Sequence, residues 1–291
     1  MPHMNTLELR GGAGRIPVLG MGTWHMGEDR GEHAAELAAL RAGIDMGYRL
    51  IDTAEMYAEG GAEQLVGEAV AQAVRSGSVE REDLFIVSKA YPHNAGRQGL
   101  PAACACSLER LGLDYLDLYL LHWRGEHPLK ETVDGMRALV AAGRIRRWGV
   151  SNLDVDDMEE LVAACGGEAQ LDCAVNQVYF SVSERGPEFS LLPWQQARAM
   201  PLMAYSPVDQ GAVMHDAGLA KIAAGLGVSA AQLALAWVLS RQGTVAIPKA
   251  VRQAHLKQNL EAAQLVLSPQ VLEEIDRLHP PPGRKRPLAM I

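Results

Sequence analysis

Eight short apolar runs alternate with stretches of helical period across residues 19–263, and that alternation predicts a closed parallel (β/α)8 TIM barrel. Two further observations point the same way. No Pro-, Gly- or Ser-rich linker divides the chain, so residues 1–291 read as one domain. Three successive runs also carry an ionisable residue at their ends: Asp52, Lys89 and His122. Parallel barrel strands bring such tips to one mouth. The competing architecture, an open doubly wound sheet, needs a phosphate-binding glycine turn after an early strand. None is present. Gly225-Leu226-Gly227-Val228-Ser229-Ala230 comes nearest, but it follows a helical stretch, and Ser229 reads there as an N-cap.

The elements follow in order. Thr6-Leu7-Glu8-Leu9-Arg10 alternates, and Gly11-Gly12-Ala13-Gly14 turns it back toward Ile16-Pro17-Val18-Leu19, an N-terminal β-hairpin ahead of the barrel. Residues 19–24 form a short buried strand with its tip at Thr23 and Trp24. Leu37, Leu40, Ile44 and Met46 set a helical period over 32–46, with Gly47 as its stop. Strands at 48–52, 84–89, 115–122 and 145–151 lead into helices at 63–74, 100–111, 132–142 and 155–164. Strands at 174–177, 202–205 and 245–247 complete the set, with helices at 191–199, 219–224, 230–239 and 253–263. Residues 269–278 add one further helix. His279-Pro280-Pro281-Pro282 ends regular structure, and the tail beyond is expected to be extended.

A net charge of -8 argues against a nucleic-acid or acidic-membrane partner, since either needs a basic face. Residues 1–10 lack a basic segment followed by an apolar run, and no stretch is apolar enough to span a bilayer. A cytoplasmic monomer acting on a small molecule is the expectation. Cys104, Cys106, Cys165 and Cys173 have no C-x-x-C spacing and read as free thiols. No metal is expected either, because His25, His122 and His127 lack His-x-His spacing and an adjoining acid cluster.

The chemistry rests on Asp52, Lys89 and His122, with Tyr57 on the loop leaving the second strand. A tyrosine is a reluctant acid at neutral pH. A neighbouring lysine ammonium is expected to lower its pKa, and Asp52 to hold that lysine charged. A neutral His122 can donate a hydrogen bond to a substrate oxygen. Together they form a proton donor aimed at a carbonyl oxygen, which suits carbonyl reduction by a hydride from elsewhere. Each residue alone has a plainer reading. Asp52 could cap a helix, Lys89 pair with a rim acid, His122 sit half-buried and Tyr57 be a rim aromatic. Four such accidents at successive tips are much less credible than one site.

These residues bring the chain to a resemblance. It resembles the aldo-keto reductases from Gly20 almost to the C-terminus: Gly20-Met21-Gly22-Thr23-Trp24, Asp52-Thr53-Ala54 with Tyr57, Ser88-Lys89 and Leu121-His122-Trp123 match that family's motifs. Gly149-Val150-Ser151-Asn152, Asn176-Gln177, Tyr205-Ser206-Pro207 and Ile247-Pro248-Lys249 resemble its cofactor-binding segments. The wording is most similar to bacterial members that reduce methylglyoxal and other small aldehydes. The resemblance implies NADPH-dependent reduction of aldehydes, small or aromatic, to alcohols. It makes Tyr57 the general acid, tuned by Lys89 and Asp52, with His122 orienting the carbonyl. It assigns Ser151, Asn152, Gln177 and Tyr205 to the nicotinamide, and Gly22, Thr23 and Asp52 to its ribose side. Ser206, Pro207, Ile247, Lys249 and Asn259 belong to the same cofactor set.

The chain departs from the family at the adenosine end, with Ala250 where Ser or Thr is usual, His255 for an arginine and Gln258 for a glutamate. Lys249, with Arg252 as a second candidate, is left to neutralise a 2′-phosphate, so NADH is also possible. Trp24, Tyr91 and Trp123 are expected to line the substrate mouth, with Met56 a lesser candidate. Trp148, Trp194 and Trp237 are expected only to pack. A short 124–130 loop and a short tail suggest a shallow, open pocket. Two other readings stay open: a Schiff-base lyase using a neutral Lys89, and an NADPH-binding sensor or regulatory barrel with little turnover.

Overall fold

The computed structural model describes residues 5–10 and 14–291. Two short strands, β1 (Thr6–Glu8) and β2 (Arg15–Pro17), pair antiparallel, with Leu7 opposite Ile16. The expected hairpin is therefore present, although most of its turn, residues 11–13, lies outside the described residues. Its purpose is visible in its buried side chains. Leu9 and Ile16 join the cluster inside the barrel and plug one end of it. Arg10 fastens the hairpin from outside by donating to the carbonyls of Leu171 (3.0 Å) and Arg198 (2.9 Å).

Eight strands form one sheet in the order β10-β9-β8-β7-β6-β5-β4-β3, every pairing parallel. They are β3 (Gly20–Gly22), β4 (Leu50–Asp52), β5 (Phe85–Ala90), β6 (Leu118–Leu121), β7 (Trp148–Ser151), β8 (Asn176–Tyr179), β9 (Leu202–Tyr205) and β10 (Thr244–Ala246). A parallel bridge between Leu19 and Ala246 joins the first and last of them and closes the barrel. The alternating helices are α1 (His33–Met46), α2 (Gly61–Arg75), α3 (Gly99–Leu111), α4 (Leu129–Ala141), α5 (Val155–Cys165) and α6 (Leu191–Gln196). α7 (Ala217–Gly225) and α8 (Ala230–Ser240) follow β9, and α9 (Gln253–Ala262) and α10 (Pro269–Leu278) follow β10. Where predicted, Gly47 stops α1 in a left-handed conformation, φ 107°.

The period-two alternation of the strands decides what faces the lumen. Leu50, Val87, Leu118 and Leu120 belong to the inner cluster, whereas Ile51, Tyr119 and Leu121 pack outward against the helices. One step further along each strand, Asp52, Lys89 and His122 therefore turn inward above the inner apolar layer. β3, β4, β6 and β7 are shorter than their apolar runs, so His122 lies just past β6, whereas β5 runs one residue beyond Lys89. Trp148 and Trp237 are fully packed, and Trp194 lies half-buried under the Arg198 guanidinium, 3.8 Å from ring centre to Cζ. All four cysteines are free, three of them buried. Among the described residues, no single helix is long and apolar enough to cross a membrane.

Candidate active site

Lys89 is the hub of the site. Its ammonium has no exposed surface and donates to Asp52 Oδ1 at 2.6 Å, to the carbonyl of Thr53 at 3.0 Å and to the phenolic oxygen of Tyr57 at 3.0 Å. Asp52 caps no helix; its second oxygen accepts Gln177 Nε2 at 2.8 Å. The His122 ring stands edge-on to Tyr57, with centres 5.8 Å apart, and its buried Nδ1 has no hydrogen-bond partner among the described residues. The four tip residues picked from the sequence thus form one contiguous cluster.

Burial sets their charge states. It pulls the Lys89 ammonium downward, but the Asp52 carboxylate and Tyr57 outweigh it and hold the lysine above its ordinary range. Burial pushes Asp52 up, opposed by Lys89 and by the hydrogen bonds from Lys89 and Gln177. It also pushes the Tyr57 phenol up, and Lys89 does not cancel that because Asp52 adds to it. The net direction corrects the sequence expectation: the lysine moderates a raised pKa and does not bring it below the ordinary tyrosine value. His122 is driven well below the usual histidine range, by burial first and by the charge on Lys89 second. At neutral pH the cluster presents a protonated phenol and a neutral imidazole over a charged ammonium, which is a set of donors for an oxygen that gains charge. A charged Lys89 is no nucleophile, which counts against the Schiff-base alternative.

A cavity of about 860 Å³ opens over this cluster. Tyr57, Asp52 and His122 form its floor with Lys89 buried beneath. Gly22, Thr23, Ser151, Asn152, Gln177 and Tyr205 line its middle, and Ser206, Pro207, Ile247, Lys249 and Asn259 its far arm. Gly22 has a steric reason to be glycine: a Cβ there would lie 2.6 Å from the Ile247 carbonyl. Asn152, left-handed at φ 59°, donates to the His122 carbonyl at 3.1 Å and accepts the Tyr205 hydroxyl at 3.0 Å. Ser229 is an N-cap, as read from the sequence, forming a capping box with Gln232, and both border the far arm.

Three placements differ from the sequence reading. Tyr91 does not line the cavity; its ring stacks on His93 and meets Trp123 edge-on behind the wall. Arg252 is exposed at the N-cap of α9 and is likewise absent from the lining, whereas Lys249 and His255 border it. The mouth is also less open than expected. The tail has no regular structure but folds back: Lys285 pairs with Asp154 (3.4 Å) and Asp156 (3.2 Å), and Met290 and Ile291 wall the cavity. Trp24, Met56 and Trp123 do line the mouth.

Sequence reasoning missed the arch after β9. Val208, Gln210, Gly211 and Met214 close over the cavity, with Ser206, Asp209, Gln210 and Gly211 all at positive φ. Only Gly211 advertises that conformation in sequence. His25, whose sequence context suggests no role beyond a metal ligand that lacks partners, also stands at the mouth. Among the described residues no group of three His, Cys, Asp or Glu side chains is poised to hold a metal.

A lumenal acid, lysine, phenol and imidazole at the C-terminal mouth of a barrel, beside one long cleft, define a carbonyl-directed oxidoreductase site. The comparisons agree. Residues 18–280 match the aldo/keto reductase family, and the chain belongs to that family. It is 50% identical over 281 residues to methylglyoxal reductase YeaE of Escherichia coli K12, covering 95% of each chain. It is 35% identical to glyoxal reductase of Bacillus subtilis 168, over 94% of this chain and 93% of the relative. Among solved structures, an aldo-keto reductase from Klebsiella pneumoniae in complex with NADPH superposes with a TM-score of 0.92 at 46% identity, covering 99% of this chain and all of the other.

Proposed function

We propose that this chain reduces small aldehydes, with methylglyoxal and other 2-oxoaldehydes foremost, to alcohols at the expense of NADPH, as a single-domain cytoplasmic monomer. The observation that carries this is the 3.0 Å contact between the Lys89 ammonium and the protonated Tyr57 phenol at the floor of the cavity. Relatives named methylglyoxal reductase and glyoxal reductase, and a structural neighbour crystallised with NADPH, support the substrate class and the cofactor. The cleft, 860 Å³ in volume, is roomy enough for an extended dinucleotide alongside a small substrate.

NADPH supplies a hydride when bound. The polar side chains of Ser151, Asn152 and Gln177 suit its carboxamide, and the Tyr205 ring its nicotinamide face. Lys249 offers positive charge at the far arm, which His255 also lines. The chain's own contribution is to the substrate oxygen. The Tyr57 hydroxyl and the neutral His122 ring orient it by hydrogen bonds, and their dipoles stabilise the charge that builds there. Tyr57 then releases its proton to that oxygen, and Lys89, held by Asp52, stabilises the phenolate left behind. Trp24, Trp123 and Met56 give the reacting carbonyl apolar walls that exclude water.

NADPH oxidation with methylglyoxal should fall by about 10²–10⁴-fold in Tyr57→Phe, while NADPH still binds, as read by fluorescence. Turnover at the wild-type rate in that variant would reject the assignment. Bound NADPH with no turnover of any aldehyde by wild type would favour the sensor reading instead.

A further inference from the structure

Behind Tyr57 and Lys89, on the outer side of the barrel wall, lies a buried set of charges that this chemistry does not touch. Glu63, in the first turn of α2, has no exposed surface. Ser88 donates its hydroxyl to one oxygen of Glu63 at 2.5 Å, and Arg110 of α3 donates Nε to the other at 2.5 Å. A second carboxylate, Glu55, lies 3.9 Å from the same guanidinium. Glu55 also accepts the backbone N–H of Tyr91 at 2.6 Å and the Asn94 amide at 3.0 Å. Two buried acids thus share one arginine. Both are tied to the site by the chain itself, since Ser88 precedes Lys89 and Glu55 leads into Tyr57.

The same arginine braces the backbone that presents the phenol. Ala58, Glu59 and Gly60 follow Tyr57 with φ values of 52°, 51° and 88°. For the two non-glycine residues this conformation costs about 1–2 kcal/mol each and persists only where packing over-determines it. A Cβ on Gly60 would run into the Arg110 side chain, so the arginine lies directly against this turn.

We propose that Arg110 is a positioning residue for the reaction at Tyr57: by neutralising Glu63 and Glu55 behind the turn, it seats the phenol against Lys89 and keeps two carboxylate fields off it. This rests on Tyr57 being the proton donor. An unneutralised carboxylate near a phenol disfavours the phenolate, and an unpaired guanidinium favours it. Lys89 from β5, Asp52 from β4, His122 after β6 and Tyr205 from β9 face Tyr57 on the lumenal side. Glu55 and Glu59 share its loop, and Glu63 and Arg110 stand behind from α2 and α3.

The test is the high-pH limb of kcat for methylglyoxal reduction, where Tyr57 loses its proton, measured for Arg110→Met, Glu63→Gln and the double variant. Arg110→Met should move the limb up by about half a pH unit or more, and Glu63→Gln should move it down by a similar amount. The double variant should return it close to wild type and recover most of the kcat that Arg110→Met loses. A merely structural arginine would lower the melting temperature and leave the limb in place in both single variants, or move it the same way in both; either result overturns the proposal. If Arg110→Met does not fold, Glu63→Gln, which preserves the shape of the pair, carries the test alone. Inactive Tyr57→Phe with unmoved limbs would reject only the positioning role, whereas active Tyr57→Phe would reject the proton donor and this inference with it.

Discussion

Gln177 and Asp52 meet across the barrel: Nε2 on β8 donates to Oδ2 on β4 at 2.8 Å, between strands at opposite positions of the closed sheet. Lys89 takes the other oxygen of Asp52. The carboxylate is thus held by a cation on one side and an amide on the other, with almost no water contact. Gln177→Leu removes the amide and leaves a buried oxygen unpaired, which costs about 1–3 kcal/mol. A fall of several degrees in the melting temperature is expected. Asp52→Asn should also destabilise, and the double variant should lose less than the sum of the two. Strictly additive losses would show that the contact is not energetically coupled.

Lys89→Met tests the hub. Without the ammonium the phenolate left by proton transfer has no cation, and kcat should drop by at least about 10²-fold. Asp52 loses the main influence opposing its burial, so its folded pKa rises further above the ordinary 3.8. A raised carboxyl contributes stability at low pH and loses it as pH climbs through the folded value. The variant should therefore melt at progressively lower temperature as pH rises from about 4 into the neutral range, more steeply than wild type. Parallel melting curves across that range would mean that Asp52 does not depend on Lys89. Borohydride in the presence of methylglyoxal should leave wild-type Lys89 unlabelled, and labelling would revive the Schiff-base reading.

His122 makes an acid-side prediction. Its folded pKa lies well below the ordinary 6.5, so below that pH the unfolded chain takes up a proton that the folded one refuses. Stability should then fall as pH drops from about 7 to about 5. His122→Gln removes this proton uptake while keeping a donor of similar reach, and its melting temperature should fall less over the same interval. Equal slopes would show that the imidazole is not held neutral.

The order of elements was legible because each barrel strand is buried on both faces, leaving unbroken apolar runs between helices of clear period. The tip residues were legible for the same reason, as ionisable groups are conspicuous at the end of such runs. Strand length was not. Tyr48 reads as strand, yet it precedes β4 and donates its hydroxyl to the Leu256 carbonyl at 2.9 Å. The Glu63–Arg110 pair was not legible either, since it depends on how α2 and α3 pack. The arch after β9 stayed hidden because Ser206, Asp209 and Gln210 adopt left-handed backbone without being glycine.

The far arm of the cleft gives the last prediction. Lys249 is exposed and borders the cavity with His255, Gln258 and Asn259, while Arg252 points elsewhere. A single solvated ammonium is a point charge without the two-pronged geometry of arginine, so its hold on a 2′-phosphate is weak and salt-sensitive. Lys249→Ala should raise the KM for NADPH by roughly three- to tenfold, within the range of an exposed charge-assisted contact, and leave the KM for NADH unchanged. Arg252→Ala should change neither. His255→Arg places a planar, permanently charged fork at the same arm, and NADPH preference should rise by about tenfold with a steeper dependence on ionic strength. Titrating KM for both cofactors in the three variants at low and high salt checks all of this. An unchanged ratio in Lys249→Ala and His255→Arg would mean that the phosphate is gripped by other residues.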